Sequence, residues 1–129
     1  MLKCGLKGKQ ERLVTTELTA ASYGSGALEV FATPAMIALL EETAWKSVAP
    51  HLDPGCSTVG TKVNVSHLAA TPLGMRVWCE SELVEIDRRR LVFQIAVYDE
   101  TGLIGEGTHE RFVVENERFL KKVQEKKGV

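Results

Sequence analysis

Apolar positions recur along this chain with two different periods. From Thr33 to Pro50 the period is helical: with Ile37 at the centre of a helical wheel, Leu40, Ala44 and Val48 share its face. Thr33 suits the N-cap, and Pro34 suits the first helical position, where a missing N–H costs nothing. Pro50 marks the far end, because the residue before a proline leaves the helical region. From Thr58 onward the period is two. Thr58 to Leu68 alternates, with Val59, Thr61, Val63, Val65 and His67 on the more apolar side. Met75 to Ile86, with Met75, Val77, Cys79, Ser81 and Leu83 on one face, and Leu91 to Tyr98, with Leu91, Phe93, Ile95 and Val97, repeat the pattern. Leu103 to Glu115 forms the last strand, with a bulge expected around Gly105 and Gly107.

Turn chemistry separates these runs: Thr71-Pro72-Leu73-Gly74, Asp87-Arg88-Arg89-Arg90 and Asp99-Glu100-Thr101-Gly102. Ahead of the helix, Arg12 to Thr19 alternates and predicts a first strand, Met1 to Gln10 a loose leader, and Tyr23 to Gly26 a flexible loop. Asn116 starts a short final helix reaching Val123. The expected class is α+β: an antiparallel sheet of about five strands wrapped around one long central helix, which buries both apolar faces.

Composition narrows the function without naming it. The 129 residues are enough for one domain with a core of its own. Sixteen basic and 17 acidic residues leave a net charge of −1, which gives nucleic acid or an anionic membrane no purchase. No apolar run approaches a membrane span, and the first residues lack the apolar core of a signal peptide. Cys4, Cys56 and Cys79 have neither metal-ligand nor CxxC spacing, so reduced thiols in a cytoplasmic setting are expected and no metal is.

The candidate chemistry begins with a misfit. Glu41 falls inside the apolar stripe of the helix, whereas Glu42 points to the polar side with Lys46 as its i+4 partner. A carboxylate among apolar neighbours is costly without a partner or a task. His67 lies on the helix-facing side of the next strand, near its end. The two can meet directly or across a subunit interface, and such a pair can activate water or a hydroxyl at neutral pH. Thr33, two turns before Glu41, either caps the helix or turns its hydroxyl to substrate, and the N–H groups there suit an oxyanion. His109 and Arg111 share a face of the last strand; Arg111 can neutralise a carboxylate structurally or hold an anionic group. Arg88 to Arg90 serve mainly to keep a hairpin soluble.

This arrangement resembles the hot-dog fold, and its motifs resemble the fluoroacetyl-CoA-specific thioesterase family. The residues that carry the likeness are Thr33-Pro34, Glu41-Glu42, Val59-Gly60-Thr61, Val65-Ser66-His67 and Gly105 to Phe112. It extends from about Leu13 to Val114, and the mutual spacing is more specific than any single motif. The resemblance implies a catalytic group of Thr33, Glu41 and His67. It implies that Gly60 lets backbone approach the thioester, and it matches Arg111 to the family's last-strand arginine. It further implies acyl-CoA hydrolysis without metal or other cofactor, at the interface of a homodimer or of a tetramer built from it. Members acting on fluoroacetyl-CoA carry an aromatic lid before the helix. Here Ser22 to Leu28 holds Tyr23 but no phenylalanine, which points to a more general acyl-CoA thioesterase. The competing function is a binding protein that holds an acyl thioester without cleaving it.

Overall fold

In the computed structural model, which describes residues 1–128, one antiparallel sheet curls around one long helix. The strands are β1 (Lys7–Leu13), β2 (Cys56–His67), β3 (Arg76–Asp87), β4 (Arg90–Asp99) and β5 (Gly102–Glu115). The helices are α1 (Ala20–Tyr23), α2 (Thr33–Val48) and α3 (Asn116–Gln124). Across the sheet the order is β1-β3-β4-β5-β2, so β1 and β2 are the edges. No helix is long and apolar enough to cross a membrane among the described residues.

β3 and β4 follow the alternation expected of them. Val77, Cys79, Ser81 and Leu83 from one, and Leu91, Phe93, Ile95 and Val97 from the other, are buried under the helix. Burial pushes the Cys79 thiol up to about 11, so it is an inert core group. Asp87 pairs with Arg90 and Asp99 with Gly102, closing two tight hairpins. The second is tied to the site. Asp99 accepts the Thr71 hydroxyl at 2.7 Å, while the Thr71 carbonyl accepts the N–H of Phe31 at 2.9 Å, just before α2.

Three expectations are corrected. The first strand is Lys7–Leu13, not Arg12–Thr19, so part of the supposed leader is an edge strand, and Thr16–Leu18 forms a single 3₁₀ turn. A polar strand is stable at an edge because only one side needs a partner, here β3 from Arg76 to Glu82. Second, the buried face of α2 is Ala35, Met36, Leu39, Leu40, Thr43, Ala44 and Val48. Ile37 and Glu41 lie on its half-exposed flank, because the helix seats mainly on β1 and β3. Third, β2 and β5 slip by one residue between Gly60 and Lys62. The bulge reverses the strand's facing, so Thr58 and Gly60 share the inner face with Val63, Val65 and His67, while Val59 and Thr61 do not. The register also slips where Val97 pairs with Gly105 and Tyr98 with Leu103, the bulge expected near Gly105.

Candidate active site

Two clusters stand along the groove between α2 and the β2–β5 edge. The first is at the start of the helix. Ala32, not Thr33, is the N-cap residue; Thr33 opens the helix and makes no capping bond. Its Oγ1 instead lies 2.7 Å from Nδ1 of His67, the last residue of β2. The His67 ring meets the edge of Phe31, with centroids 6.3 Å apart. Burial pulls the imidazole below its usual range, so at neutral pH it is uncharged and can accept a proton. Its other nitrogen, Nε2, is buried and has no hydrogen-bond partner among the described residues. By helix geometry the N–H groups of Thr33 and Ala35 have no intrahelical acceptor, and Pro34 has no N–H at all. A cavity of about 290 Å³ opens onto Thr33 and His67.

The second cluster surrounds Gly60. A methyl group built there would lie 2.7 Å from Glu41 Oε2, 3.3 Å from Arg111 Nη1 and 3.4 Å from His109 Cε1. Only glycine lets the backbone of β2 approach this carboxylate so closely. Arg111 is almost fully buried, and its Nη1 is 3.8 Å from Glu41 Oε2, an ion pair longer than a hydrogen bond. The guanidinium is aimed by Thr58: Nε donates to its hydroxyl at 2.8 Å and Nη2 to its carbonyl at 2.9 Å. Burial lowers the proton affinity of Arg111, and the Glu41 carboxylate opposes that.

His109 completes the cluster and is wholly buried. Its Nδ1 is 2.8 Å from the Lys62 carbonyl, which can only accept, so Nδ1 carries the proton. Its Nε2 is 3.1 Å from Arg111 Nη1, which can only donate, so Nε2 is the acceptor. The ring is therefore neutral. Burial is the main cause of its lowered proton affinity, with Arg111 adding to it and the Lys62 carbonyl, Glu41 and Glu110 opposing it. One imidazole thus joins the β2 bulge to the arginine that faces Glu41.

The five candidate residues form two clusters, and one chain does not bring them into one constellation. Thr33 joins His67, whereas Glu41 joins Arg111 and Gly60, and Glu41 makes no hydrogen bond to His67 among the described residues. Thr58 reaches the inner face only through the bulge, which period counting does not reveal. Arg90 is neutralised by Glu85 at 2.8 Å and Glu110 at 2.9 Å, which ties the hairpin rather than leaving a free cation.

An antiparallel sheet curled around one long helix is the architecture of the hot-dog fold. Residues 14–117 match the model of the fluoroacetyl-CoA-specific thioesterase family. A fluoroacetyl-CoA thioesterase of Streptantibioticus cattleyicolor is 43% identical over 98 residues, covering 76% of this chain and 70% of that one. Among solved structures, that of the fluoroacetyl-CoA thioesterase FlK superposes with a TM-score of 0.91 at 35% identity, covering 98% of both chains. A thioesterase superfamily member from Thermus thermophilus superposes at 0.87 with 27% identity, covering 98% and 96%. The chain belongs to the fluoroacetyl-CoA-specific thioesterase family and is a thioester hydrolase.

Proposed function

We propose that this enzyme hydrolyses acyl-CoA thioesters to the free acid and CoA, with Thr33, Glu41 and His67 as the catalytic group of a homodimer. The observation that carries the reading is the 2.7 Å contact between the Thr33 hydroxyl and Nδ1 of a neutral His67 beside an open cavity. His67 takes a proton as the thioester carbonyl is attacked, either by the Thr33 oxygen or by a water that Thr33 holds. The free N–H groups of the first helical turn, with the close backbone at Gly60, stabilise the developing oxyanion. When the C–S bond breaks, the proton on His67 passes to sulfur and CoA leaves as the thiol. If Thr33 attacked, a single water then repeats the sequence on the acyl-threonine and releases the acid. Glu41, held by Arg111, orients or activates the attacking group. Side chains and water suffice, so no metal or cofactor enters the proposal.

A second copy fits the uncovered side of the groove. α2 seats on β1 and β3 and leaves Val63 of the β2 edge and Trp45 of the helix flank about 40% exposed. The unpaired N–H and C=O groups of the β2 edge are a template for pairing with a second chain. The three cysteines are free, which fits a cytoplasmic setting.

The test is release of free thiol from a panel of acyl-CoAs. Turnover is expected, and His67→Ala should lower it by about 10²–10⁴-fold, the usual contribution of a general base. No turnover on any acyl-CoA, or an undiminished rate after His67→Ala, would overturn the proposal.

A further inference from the structure

One buried titratable side chain, His109 of β5, has no part in the chemistry above. Its ring lies beside that of Phe93 on β4, with centroids 6.2 Å apart and planes 30° apart. Its Cε1 borders Gly60, where a methyl group would come within 3.4 Å. The ring therefore has little freedom to turn, and its two nitrogens are set in opposite roles. Nδ1 donates to the Lys62 carbonyl beside the β2 bulge, and Nε2 accepts from Arg111.

Arg111 is fastened through each of its guanidinium nitrogens. Thr58 takes Nε and Nη2, and His109 takes Nη1 at 3.1 Å. None of these bonds goes to the carboxylate nearby. Nη1 lies 3.8 Å from Glu41 Oε2, an ion pair without a hydrogen bond. An arginine free to close on a carboxylate does so at about 2.7–2.9 Å, commonly through two parallel bonds that fill both oxygens. Here the positive charge is near and the carboxylate oxygens stay open.

We propose that His109 is a positioning residue for thioester hydrolysis: by accepting from Nη1 it holds Arg111 back from closing on Glu41, and so leaves the carboxylate free to accept a hydrogen bond from the attacking group. The proposal rests on the acyl-CoA reading above. The acceptor at Nε2 is what matters. Without it the Nη1 N–H would be buried and unpaired, a costly state, and Glu41 is the acceptor within its reach. The bond to the Lys62 carbonyl serves the ring: it fixes the proton on Nδ1 and so keeps Nε2 an acceptor. The β2 bulge, the imidazole and the guanidinium thus form one chain of support ending at Glu41.

The experiment measures kcat and KM of the full chain on the acyl-CoA it turns over best, for wild type, His109→Gln and His109→Asn, at a temperature where thermal melting shows each folded. The Gln side chain extends to where Nε2 stands and can offer its amide oxygen to Arg111. The Asn side chain extends only to where Nδ1 stands, so it can donate to the Lys62 carbonyl but not reach Arg111. His109→Gln should keep kcat within about threefold of wild type, whereas His109→Asn should lose about tenfold or more, with KM within about twofold in both. A residue that only closes the bulge would give the reverse order, since Asn keeps the bond to β2. Asn equal to or better than Gln, or a change in KM rather than kcat, overturns this inference alone. If either variant fails to fold, two measurements on the intact cluster replace it. Nitrogen NMR of histidine-labelled wild type should show His109 neutral with its proton on Nδ1 at pH 7. Thr58→Val, which releases Nε of the same arginine with little change of shape, should lower kcat about threefold or more at unchanged KM. A proton on Nε2, or a full rate in Thr58→Val, overturns the inference. Hydrolysis of no acyl-CoA overturns the underlying reading, and this inference with it.

Discussion

At Gly60 the space available to a side chain is already taken by the Glu41 carboxylate, 2.7 Å from where a Cβ would be. The Glu41 side chain is 40% exposed, so Gly60→Ala can be accommodated by swinging the carboxylate into solvent. The expected cost in stability is small, about 1 kcal/mol. Glu41 would then lose Arg111, and kcat/KM for acyl-CoA should drop about tenfold or more through a group that positions charge. Thermal melting and steady-state kinetics on the same variant separate the two effects; equal activity with an unchanged melting point would remove Gly60 and Glu41 from the site. The two buried imidazoles give a pH prediction. His67 and His109 both lie below the ordinary value of 6.5, chiefly through burial. As pH falls through 6.5, the unfolded chain binds protons that the folded chain refuses, so stability declines below that point and is level above it. With His67 as the proposed general base, turnover requires its neutral form, so the acid limb of kcat/KM should break below pH 6.5. A break at or above that value would mean that another group controls the rate.

At the scale of elements, what could be read in advance depended on how much burial each strand carries. β4, and β3 from Arg76 to Leu83, are covered on one face, so their alternation was legible; β3 bulges at Val84, between Leu83 and Glu85, where that cover ends. β1 was not legible, because Lys7–Leu13 has no apolar run: it is a strand by virtue of its partner, β3 from Arg76 to Glu82, far along the chain. In α2 the run Ala35 to Leu40 is apolar at every position, so periodicity alone cannot choose between Met36 and Ile37 as the buried centre. The sheet chooses, and Glu41 moves from the stripe to its flank. In β2 the extra residue at Thr61 moves Gly60 and Thr58 onto the site face. Thr33, Glu41 and His67 were thus legible as residue types at a spacing, but their grouping was not, since it depends on a bulge and a helix rotation. β1 also gives a stability prediction. A methyl on Gly8 would sit 2.8 Å from Ser47 Cβ, 2.8 Å from the Thr43 carbonyl and 2.9 Å from Ser81 Oγ. One of those atoms is helix backbone, so the strand must move instead. Gly8→Ala should cost about 1–3 kcal/mol, measured as a lower urea midpoint. An unchanged midpoint would show that β1 can shift freely against α2.

At the scale of the whole molecule, the separation of the two clusters becomes a statement about symmetry. Thr33 and Glu41 stand eight residues apart on one helix, roughly 12 Å along its axis. A two-fold axis passing beside α2 between them would lay two copies of the helix antiparallel, with the Thr33 end of each near the Glu41 of the other. The side of the groove that α2 leaves uncovered, with Val63 and Trp45, is where such a partner would lie. On this arrangement each site takes Thr33 and His67 from one chain and Glu41 from its partner. That predicts complementation. Glu41→Ala and His67→Ala homodimers should each be nearly inactive, since every site lacks one group. When the two variants are unfolded together and refolded, a mixed dimer has one site lacking both groups and one site with all three. Random pairing should therefore restore about a quarter of the wild-type rate, because half the dimers are mixed and each has one intact site. Sedimentation should give a mass near twice 14.2 kDa for the wild type. Val63→Lys, a charge on the uncovered edge, should yield a folded monomer without turnover. A wild-type monomer that cleaves acyl-CoA, or a refolded mixture no more active than its parents, would place the whole catalytic group within one chain.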